Sequence, residues 1–427
     1  MFKLALHWQI IIAMVLAIIA GLLSSPESSV LGISIYGLFG FIGTLFLNAL
    51  KMIIVPLVMA SIICGISGIG ASEHLGRLGG KTIAFYVLSS TLAILLGLAL
   101  VNITQPGIID GQPAGPQLNL SNDQQQLDQL MDKVEGRDIS DISEVFLRMI
   151  PTNVVDAAAN GEMLGLIFFS LLFGFFMTRI RGELSQTLQQ FWQGVFDVMM
   201  LITMWVMKFA PIGVFGLVAK TVAATGFAAF QPLLVFFFTA LAALLIHAFL
   251  VMPLLLKSMG RVRPYAFVKK MSPVMLTAFS TASSSATLPL NMETVEKEVG
   301  VSNKTTSFVL PLGATINMDG TALYECVAAM FIAQAYGLEL SFVQQFTIVF
   351  VALITSIGVA GIPAASLVAI TVILGVIGLP LEGLGLLLVT DRLLDMVRTF
   401  VNVFSDASGA LIIARSEGES TSVDNHS

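Results

Sequence analysis

The sequence predicts an all-α polytopic membrane protein, and three observations support this fold class. Hydrophobic residues make up 56% of the 427 residues and charged residues only 11%, whereas a soluble domain carries about 25% charged residues. Apolar runs recur that reach or exceed the ~20 residues with which a helix crosses a bilayer. Polar or Gly- and Pro-rich residues interrupt two of these runs. We therefore expect lipid rather than nucleic acid around most of the chain.

Ten apolar runs give the order of the elements. They lie near residues 8–24, 34–70, 82–104, 161–178, 191–225, 232–256, 264–290, 305–335, 340–375 and 380–414. The first run follows a short basic start, as in a signal peptide, but the many later runs favour a retained first helix. The longest runs require tilted helices or re-entrant pieces.

The polar stretch 105–147 is typical of an exposed loop that separates an early half of the chain from a late half. Basic residues gather at alternate ends of the predicted spans, as at Lys3, Arg77 and the cluster within 257–270. The positive-inside rule places the N-terminus, this cluster and Arg415 in the cytoplasm. Both termini are therefore expected on the cytoplasmic side.

Two breaks in the apolar runs predict a binding site. Residues 280–291, STASSSATLPLN, bring hydroxyl side chains and a proline into one run, and residues 356–366, SIGVAGIPAAS, bring glycines and a proline into another. Irregular backbone at membrane depth needs protein or a water-filled cavity around it. Each break precedes a polar motif, NMDGT at 317–321 or the stripe at 395–406. Such a pair predicts the midplane site of a transporter built from inverted repeats; close helix packing is the alternative.

The last apolar run carries a stripe of charged and polar residues. Asp395, Arg398, Thr399, Asn402 and Asp406 lie at offsets 0, 3, 4, 7 and 11, which return to one side of an α-helix. A charge at membrane depth costs about 2.5–3.5 kcal/mol on insertion scales, so such residues usually mark a site or a pathway. Five polar positions on one stripe favour a bound ligand over an ion pair that only holds helices together.

The residue types in this stripe indicate the ligand. The guanidinium of Arg398 can hold a carboxylate through two parallel hydrogen bonds. Asp395, one turn earlier, can accept an ammonium group. Backbone N–H groups at the two broken segments suit a second carboxylate. The predicted ligand is therefore an acidic amino acid.

Three further carboxylates are candidates for ion coupling. Asp319 and Asp406 have no evident cationic side-chain partner, and carbonyls of the unwound NMDGT segment are expected around them. Such oxygen ligands suit a hard cation, which favours Na⁺. Glu325 is a candidate for carrying a proton, because loss of water disfavours a charged carboxylate. The alternative interpretation is that Glu325 is a structural residue whose hydrogen bonds are made within the helix bundle.

No motif indicates catalysis. The sequence has no Walker loop, GxGxxG fingerprint or HExxH motif. Cys64 and Cys326 lie in apolar runs and predict neither a disulfide framework nor a metal cluster. An enzyme with a nucleophile in the serine run 283–285 is the weakest alternative, because the four histidines, His247 among them, lie outside the motifs and offer no evident base. We expect a protein that is not an enzyme.

Four motifs carry a resemblance to a known family: SSSATLP at 283–289, LPLGATINMDGTALYE at 310–325, SIGVAGIP at 356–363 and DMVRTFVNVFSD at 395–406. In order and spacing they resemble the dicarboxylate/amino acid:cation symporter family, which includes the vertebrate excitatory amino acid transporters and the archaeal aspartate transporters. Further likeness lies in 51–68, 149–153 and 210–219. The resemblance covers the chain except the 105–147 loop and the tail after Arg415.

The resemblance implies eight transmembrane spans and two re-entrant helical hairpins, assembled as a homotrimer whose transport domain moves as an elevator. The implied division is scaffold spans 1–2 at 1–70, transport-domain span 3 at 71–104, the exposed loop at 105–147, scaffold spans 4–5 at 148–225, the transport domain at 226–415 and a polar tail at 416–427. The transport domain would hold span 6, hairpin 1 at about 264–295, span 7 at about 305–335, hairpin 2 at about 340–375 and span 8 at about 380–414. The implied location is the plasma membrane, as in a bacterial inner-membrane protein.

The resemblance also implies one substrate site and three sodium sites. Arg398 would bind the side-chain carboxylate of the substrate and Asp395 its amine. The other implied substrate ligands are Thr321, Thr399, Asn402 and, at the hairpin tips, Ser284, Gly361 and Ile362. One sodium would use Asp406 with carbonyls of Gly313, Asn317 and Asn402. A second would use carbonyls near Thr315, Ser356, Ile357 and Val359. A third would use Asp319 and Asn317 with Tyr86, Ser89 and Ser90. The hairpin with Gly358 and Gly361 would be the extracellular gate.

The chain departs from the family pattern at two places. The archaeal proteins carry an arginine just before the hairpin serines, and the vertebrate acidic transporters carry one directly after the aspartate that matches Asp395. This chain has Ala282 and Met396 there, and Arg392 is a candidate substitute. At Glu325 the chain has the glutamate of the vertebrate proton-coupled transporters rather than the archaeal glutamine. Proton coupling is therefore an open alternative to sodium coupling.

The resulting prediction is a secondary transporter that takes up L-glutamate or L-aspartate by symport with Na⁺, H⁺ or both. A symporter of neutral amino acids or C4-dicarboxylates is one alternative, although Arg398 argues against the first ligand and Asp395 against the second. A substrate-gated anion channel is another alternative. A channel would pass current without accumulating substrate.

Overall fold

The computed structural model describes residues 6–424 except 31–32, 70–75, 117, 119, 121–146, 148–149, 161–162, 226–229, 359–364, 378 and 380–383. Long helices dominate the described residues, and two short antiparallel strand pairs accompany them. The apolar runs are therefore helical, which confirms the all-α prediction for the described part of the chain.

The described residues of the early half form seven helices. They are α1 (Leu6–Leu22), α2 (Ile35–Ile69), α3 (Gly76–Thr104), α4 (Val154–Asn160), α5 (Met163–Met177), α6 (Gly182–Met207) and α7 (Ala210–Thr225). Strands β1 (Ser29–Val30) and β2 (Ile33–Ser34) precede α2, and strands β3 (Ile108–Ile109) and β4 (Gln112–Pro113) follow α3.

The late half begins with one long helical segment that contains two π turns. It consists of α8 (Phe230–Ile246), a π turn (His247–Val251), α9 (Met252–Leu255) and a second π turn (Leu256–Gly260). The following elements are α10 (Pro264–Thr281), α11 (Ser284–Thr294), a π turn (Val295–Val299), α12 (Asn303–Ile316), α13 (Asp319–Ala335), α14 (Phe342–Gly358), α15 (Ala365–Ile377) and α16 (Leu384–Ser416).

The first of the two breaks expected in the apolar runs is present in the described backbone. Helices α10 and α11 meet at Ala282, which adopts a left-handed conformation (φ 48°), and the Ser283 hydroxyl then caps α11 by accepting from the Ala286 N–H at 3.2 Å. Between α12 and α13, Asn317 and Met318 leave the helical conformation. The second hairpin has α14 and α15 as its arms, and its predicted tip at 359–364 lies outside the described residues.

Helices α13 and α16 form the centre of the late half. All 17 residues of α13 are buried, and 89% of the most apolar 18-residue window of α16 is buried. Helix α13 contacts α3, α8, α14, α15 and α16. The polar residues of α13 and α16 are therefore withdrawn from both lipid and bulk water, and each must find a partner within the protein.

A second group of helices packs around α2. Helix α2 contacts α5, α6 and α7, and α1 packs on α7. Glycines allow the close approach of α2 and α7, because a Cβ on Gly43 would lie 2.6 Å from Leu217 Cδ2 and one on Gly213 would lie 2.1 Å from Phe46 Cγ. This group meets the late half where α7 contacts α16, α2 contacts α12 and α5 contacts α14.

Three described helices are long and apolar enough to cross a membrane: Arg77–Thr104, Gln231–Gly260 and Thr390–Ser416. A fourth span results if the pair Gly182–Val206 and Ala210–Ala224, bent by 55°, counts as one crossing. Shorter apolar helices are also present, among them Phe168–Met177 and Phe342–Thr355. The fold is that of a membrane protein, and the number of spans stays a prediction.

The described parts of the polar loop 105–147 and of the polar tail 416–427 pack more closely against the helices than their composition suggests. The start of the predicted 105–147 loop folds against α13, where the Gly107 and Gly115 N–H groups donate to Gln334 and Ala335. The tail after α16 turns back onto the bundle, with Val423 fully buried. Residues 121–146 and 425–427 lie outside the described residues.

Candidate functional site

The centre of α16 holds a buried cluster of two arginines and two aspartates. Arg398 Nη2 donates to Asp395 Oδ1 at 2.9 Å, and its Nη1 lies 2.9 Å from Asp391 Oδ1 without hydrogen-bond geometry. Arg392 Nη1 donates to Asp395 Oδ2 at 3.3 Å. The cluster is formally neutral, and Arg398 is only 1% exposed. The polar stripe predicted on this helix is therefore buried and internally paired.

The ring of Tyr324 on α13 covers the Arg398 guanidinium, whose Cζ lies 4.0 Å from the ring centroid. A cation over an aromatic face is stabilised by the ring quadrupole, and more strongly when both are desolvated. Nε and Nη1 of Arg398 have no hydrogen-bond partner in the described residues. The guanidinium is therefore fixed in place and retains donors that a ligand carboxylate could use.

Asn402 joins α16 to the start of α13. Its side-chain oxygen accepts from the Gly320 N–H at 2.8 Å and from the Thr321 N–H at 3.4 Å, and its Nδ2 donates to Thr321 Oγ1 at 3.0 Å. The Thr399 hydroxyl donates to the Asp395 carbonyl at 2.8 Å. The predicted ligands Thr399 and Asn402 therefore lie on α16 with Asp395, and Thr321 lies on α13 in contact with Asn402.

Asp319, at the first position of α13, is fully buried among hydroxyls and a histidine. Its Oδ1 accepts from Ser89 at 3.2 Å and from Ser90 at 2.6 Å, both on α3. Its Oδ2 accepts from Ser405 at 2.7 Å and lies 3.1 Å from His247 Nε2. Of the residues predicted for the third sodium, Asp319, Ser89 and Ser90 are therefore in contact, and His247 lies at the other carboxylate oxygen of Asp319.

Asp406 lies against the break between α12 and α13. Its Oδ1 accepts from Asn317 Nδ2 at 2.9 Å. A Cβ built on Gly313 would lie 2.5 Å from the same oxygen and 2.6 Å from Tyr86 Oη, so only glycine leaves this space. Tyr86 donates to the Val309 carbonyl at 2.8 Å. Asp406, Gly313 and Asn317 of the first predicted sodium site therefore lie together, and the hydroxyl of Tyr86, which was predicted for the third site, lies beside Gly313.

Asn317 connects the two ion sites. Its Nδ2 also donates to Ser405 Oγ at 3.0 Å, and its Oδ1 accepts from Ser89 at 3.4 Å. Among the residues that the structure describes, no cluster of three or more His, Cys, Asp or Glu side chains is placed to hold a metal ion. The two predicted sites consist instead of single carboxylates with neutral oxygen donors, which suits a monovalent cation better than a transition metal.

Glu325 lies two turns into α13 and is fully buried. Its Oε2 accepts from the Thr355 hydroxyl of α14 at 3.0 Å, and its Oε1 has no partner among the described residues. A protonated carboxyl accepts fewer hydrogen bonds than an ionised carboxylate. A buried carboxyl with one oxygen that has no partner therefore fits the protonated form. The arrangement leaves both interpretations of Glu325 open.

The hairpin residues divide into described and undescribed ones. Ser284 is buried at the start of α11, and Asn291 of the same helix donates to the Val403 carbonyl of α16 at 3.5 Å. Thr315 is in the last turn of α12, and Ser356, Ile357 and Gly358 are in the last turn of α14. The predicted ligands Val359, Gly361 and Ile362 lie outside the described residues.

Two residues of this site were missed by sequence reasoning. His247 lies outside the motifs and was not predicted as a site residue. The π turn after α8 nevertheless brings it to Asp319. The expectation that Asp319 has no side-chain partner able to carry a positive charge is therefore wrong. A histidine inside an apolar span is itself a signal of function. Asp391 was not predicted as a site residue, although its position seven residues before Arg398 places it on the same helix face.

Comparisons with known proteins identify one transporter family that the chain resembles along its length. A sequence model of the Sodium:dicarboxylate symporter family matches residues 6–416. The proton/sodium-glutamate symport protein of Bacillus caldotenax is 36% identical over 98% of this chain and 96% of its own length. The proton/glutamate-aspartate symporter of Escherichia coli (strain K12) is 36% identical over 97% and 93%. Excitatory amino acid transporter 3 of Mus musculus is 34% identical over 96% and 85%.

Proposed function

The chain belongs to the Sodium:dicarboxylate symporter family, and on that basis we propose that it takes up L-glutamate or L-aspartate by symport with Na⁺, H⁺ or both. The observation that carries the proposal is the buried Arg398 guanidinium, which lies between two carboxylates and keeps unused donors. A buried cation of this kind selects an anionic ligand, and the relatives are named for glutamate and aspartate.

In the proposed binding step, the side-chain carboxylate of the substrate takes the Arg398 donors and its ammonium group takes Asp395. The substrate carboxylate must then compete with Asp391 and Asp395 for Arg398. Because the cluster is formally neutral before binding, the extra negative charge of the substrate requires a compensating cation within the protein. This requirement gives a physical reason for symport rather than simple uptake of the anion.

Sodium is proposed at Asp406 with Gly313, Asn317 and Asn402, and at Asp319 with Asn317, Tyr86, Ser89 and Ser90. The support is the convergence of hydroxyl, amide and carboxylate oxygens at these two places. A site near Thr315, Ser356, Ile357 and Val359 rests on the family resemblance alone. Glu325 is the proposed carrier when a proton is the coupling ion, supported by its orphaned Oε1.

The proposed architecture is eight spans and two re-entrant hairpins, in a homotrimer whose transport domain moves as an elevator. The helices around α2 and those around α13 and α16 pack mainly among themselves, which supports the division into scaffold and transport domains at the boundaries given above. We also propose a bacterial plasma-membrane location with both termini in the cytoplasm, on the charge bias of the connections.

Uptake of labelled L-glutamate and L-aspartate into proteoliposomes tests the proposal, with sodium and proton gradients imposed separately. Accumulation above the external concentration is expected with at least one gradient, and a neutral amino acid or succinate in excess should not inhibit it. Accumulation only with sodium assigns coupling to the Asp319 and Asp406 sites, and accumulation with protons in sodium-free buffer assigns it to Glu325.

The alternatives give other results in the same assay. Equilibration without accumulation, accompanied by anion current, would identify a channel. Equal inhibition by a neutral amino acid would identify the neutral-substrate symporter. Either result overturns the proposal.

A further inference from the structure

Arg392 belongs to the buried cluster on α16, but the proposed binding step gives it no role. Arg392 precedes Asp395 by three residues and Arg398 follows it by three, so both arginines are helix neighbours of this carboxylate. Arg392 Nη1 donates to Asp395 Oδ2 at 3.3 Å, and Arg398 Nη2 donates to Oδ1 at 2.9 Å. Both oxygens of Asp395 are therefore paired with guanidinium groups of the chain itself.

The two guanidinium contacts of Asp395 are unequal. The Arg398 side chain is 1% exposed, lies beside Asp391 and is covered by the Tyr324 ring. The Arg392 side chain is 12% exposed, and Asp395 is its one ion-pair partner among the described residues. Its Nε is buried without a hydrogen-bond partner in that part of the chain. The contact of Arg392 is therefore longer and less enclosed, and it is the one that can open.

A ligand ammonium and the Arg392 guanidinium require the same place. Asp395 is the proposed acceptor of the ammonium, and its Oδ1 is held by Arg398, which the ligand carboxylate also needs. The ammonium therefore approaches Oδ2, where it meets the Arg392 guanidinium at contact distance. Like charges in contact repel strongly where water is excluded, so Arg392 must leave Oδ2 before the ammonium can bind there.

We propose that Arg392 is a specificity-determining residue, whose guanidinium occupies the ammonium position at Asp395 until the substrate displaces it. This inference rests on the proposed function, because it takes Asp395 as the ammonium acceptor. Before binding, Arg392 helps to keep a buried carboxylate paired, as a charge withdrawn from water requires. On binding, the substrate ammonium replaces one cation at Asp395 by another, and the Arg392 guanidinium moves toward the side on which it is exposed.

This exchange determines how strongly an amine favours binding. A dicarboxylate without an amine leaves the Arg392–Asp395 pair in place, whereas an acidic amino acid must break it. Arg392 therefore reduces the advantage of the amine, since selectivity is the difference between the two affinities. The ligand charge nearest to the guanidinium is the ammonium, and the Coulomb energy falls with distance. Removal of Arg392 should therefore tighten binding of the amino acid and not that of the dicarboxylate.

Displacement of labelled L-aspartate from the purified full-length protein, at fixed sodium concentration and pH, tests the proposal. Unlabelled L-aspartate and succinate are the competitors, because both carry two carboxylates on the same carbon chain and only aspartate carries an amine. Arg392→Lys keeps the charge. Arg392→Gln and Arg392→Met both remove it, so that loss of the fold in one, checked by thermal unfolding, does not end the test. Arg415→Gln is the matched control, because Arg415 is another arginine of α16 and pairs with Asp424 outside the site.

The two neutral variants should bind L-aspartate about fivefold more tightly, the effect of losing one weak, partly exposed ion pair, while succinate binds equally or more weakly. Arg392→Lys should lie closer to wild type, and Arg415→Gln should match it. Equal changes for both ligands, or unchanged affinities in the neutral variants, overturn the role of Arg392 alone. Wild-type protein that binds neither L-aspartate nor L-glutamate overturns the proposed function and this role together.

Discussion

Arg398 is one of the largest fully buried side chains in the described part of the chain. Asp391, Asp395 and the Tyr324 ring surround it, and almost none of it is exposed. A fully buried charge is tolerated only with such partners. The same partners hold the planar guanidinium in one orientation, which is what bidentate recognition of a carboxylate requires.

Arg398→Ala should abolish uptake of glutamate and aspartate, a loss of at least about 100-fold. It also leaves Asp391 without its cationic partner and Asp395 with Arg392 alone, so a loss of about 3–5 kcal/mol in folding free energy is expected. Arg398→Lys separates the loss of uptake from the loss of stability. Lysine keeps the positive charge but cannot hold a carboxylate through two parallel hydrogen bonds. Uptake assays and thermal unfolding of both variants provide the check, and full uptake by a stably folded Arg398→Ala protein contradicts the assignment.

Glu325 can be tested without removing its hydrogen bond, because glutamine can still accept from Thr355. Glu325→Gln removes only the exchangeable proton. If protons are the coupling ion, this variant should still bind and exchange substrate but lose net uptake driven by a proton gradient. Exchange and net uptake measured on the same proteoliposomes separate the two steps. Unchanged net uptake would assign Glu325 to the structural interpretation.

At the element scale, the break between α12 and α13 shapes the proposed ion sites. Asn317 and Met318 leave the helical conformation, and the Asn317 side-chain amide donates to Asp406 and Ser405. Asn402 then satisfies the first N–H groups of α13 in place of a local cap. The substrate stripe and the ion sites are thus linked through one short, hydrogen-bonded interruption.

Gly313→Ala tests this packing. The new methyl group would overlap Asp406 Oδ1 and Tyr86 Oη, and overpacking of this kind costs about 1–3 kcal/mol. We expect a lower unfolding temperature and weaker sodium-dependent substrate binding. Gly80→Ala on α3 is the matched control, because a Cβ there meets nothing within 4 Å. Equal behaviour of the two variants would contradict the close approach of α12 and α16.

The sequence predicted the elements that depend on a pattern of residues close together in the chain. The polar stripe of α16, the break at NMDGT and the turn of the first hairpin follow from periodicity and from Ser, Gly and Pro content, and the structure has all three. The contacts of His247 with Asp319 and of Asn402 with Gly320 join residues 72 and 82 positions apart. No local pattern encodes such distances, because they depend on how α3, α8, α13 and α16 pack together.

At the scale of the whole molecule, the C-terminal tail closes the late half of the bundle. Glu417 pairs with Arg77 and Lys81 at the start of α3. Glu419 accepts from the Ser302 N–H and from the hydroxyls of Ser302 and Thr305 at the start of α12. The Arg263 N–H donates to the Val423 carbonyl at 2.8 Å. Composition alone predicted only a polar tail, because its partners lie far away in the sequence.

The tail should add pH-dependent stability. Hydrogen bonds from Lys81 and Arg77 lower the pKa of Glu417. Burial raises the pKa of Glu419, but hydrogen bonds from Thr305 and Ser302 outweigh it, so the net shift is downward. A carboxyl with a lowered folded-state pKa stabilises the fold above its unfolded value of about 4.3, and this contribution disappears as the pH falls through the folded value.

The double variant Glu417→Gln/Glu419→Gln should therefore unfold at a lower temperature than wild type at neutral pH. The difference should begin to shrink as the pH falls through about 4.3 and vanish only below the lowered folded-state pKa values, where both carboxyls are protonated in either state. Glu183→Gln, at an exposed position at the start of α6, is the control. A difference that persists unchanged into acid would contradict a role for the ionised carboxylates.

The central claim is that one connected set of residues on α12, α13 and α16 binds an acidic amino acid together with a cation. Equilibrium binding of L-glutamate and L-aspartate to the purified protein, titrated with and without sodium and at acidic and alkaline pH, tests this claim most directly. The account predicts that sodium or acid tightens substrate binding and that substrate tightens cation binding by the same factor. Substrate affinity that is indifferent to both cations would contradict it.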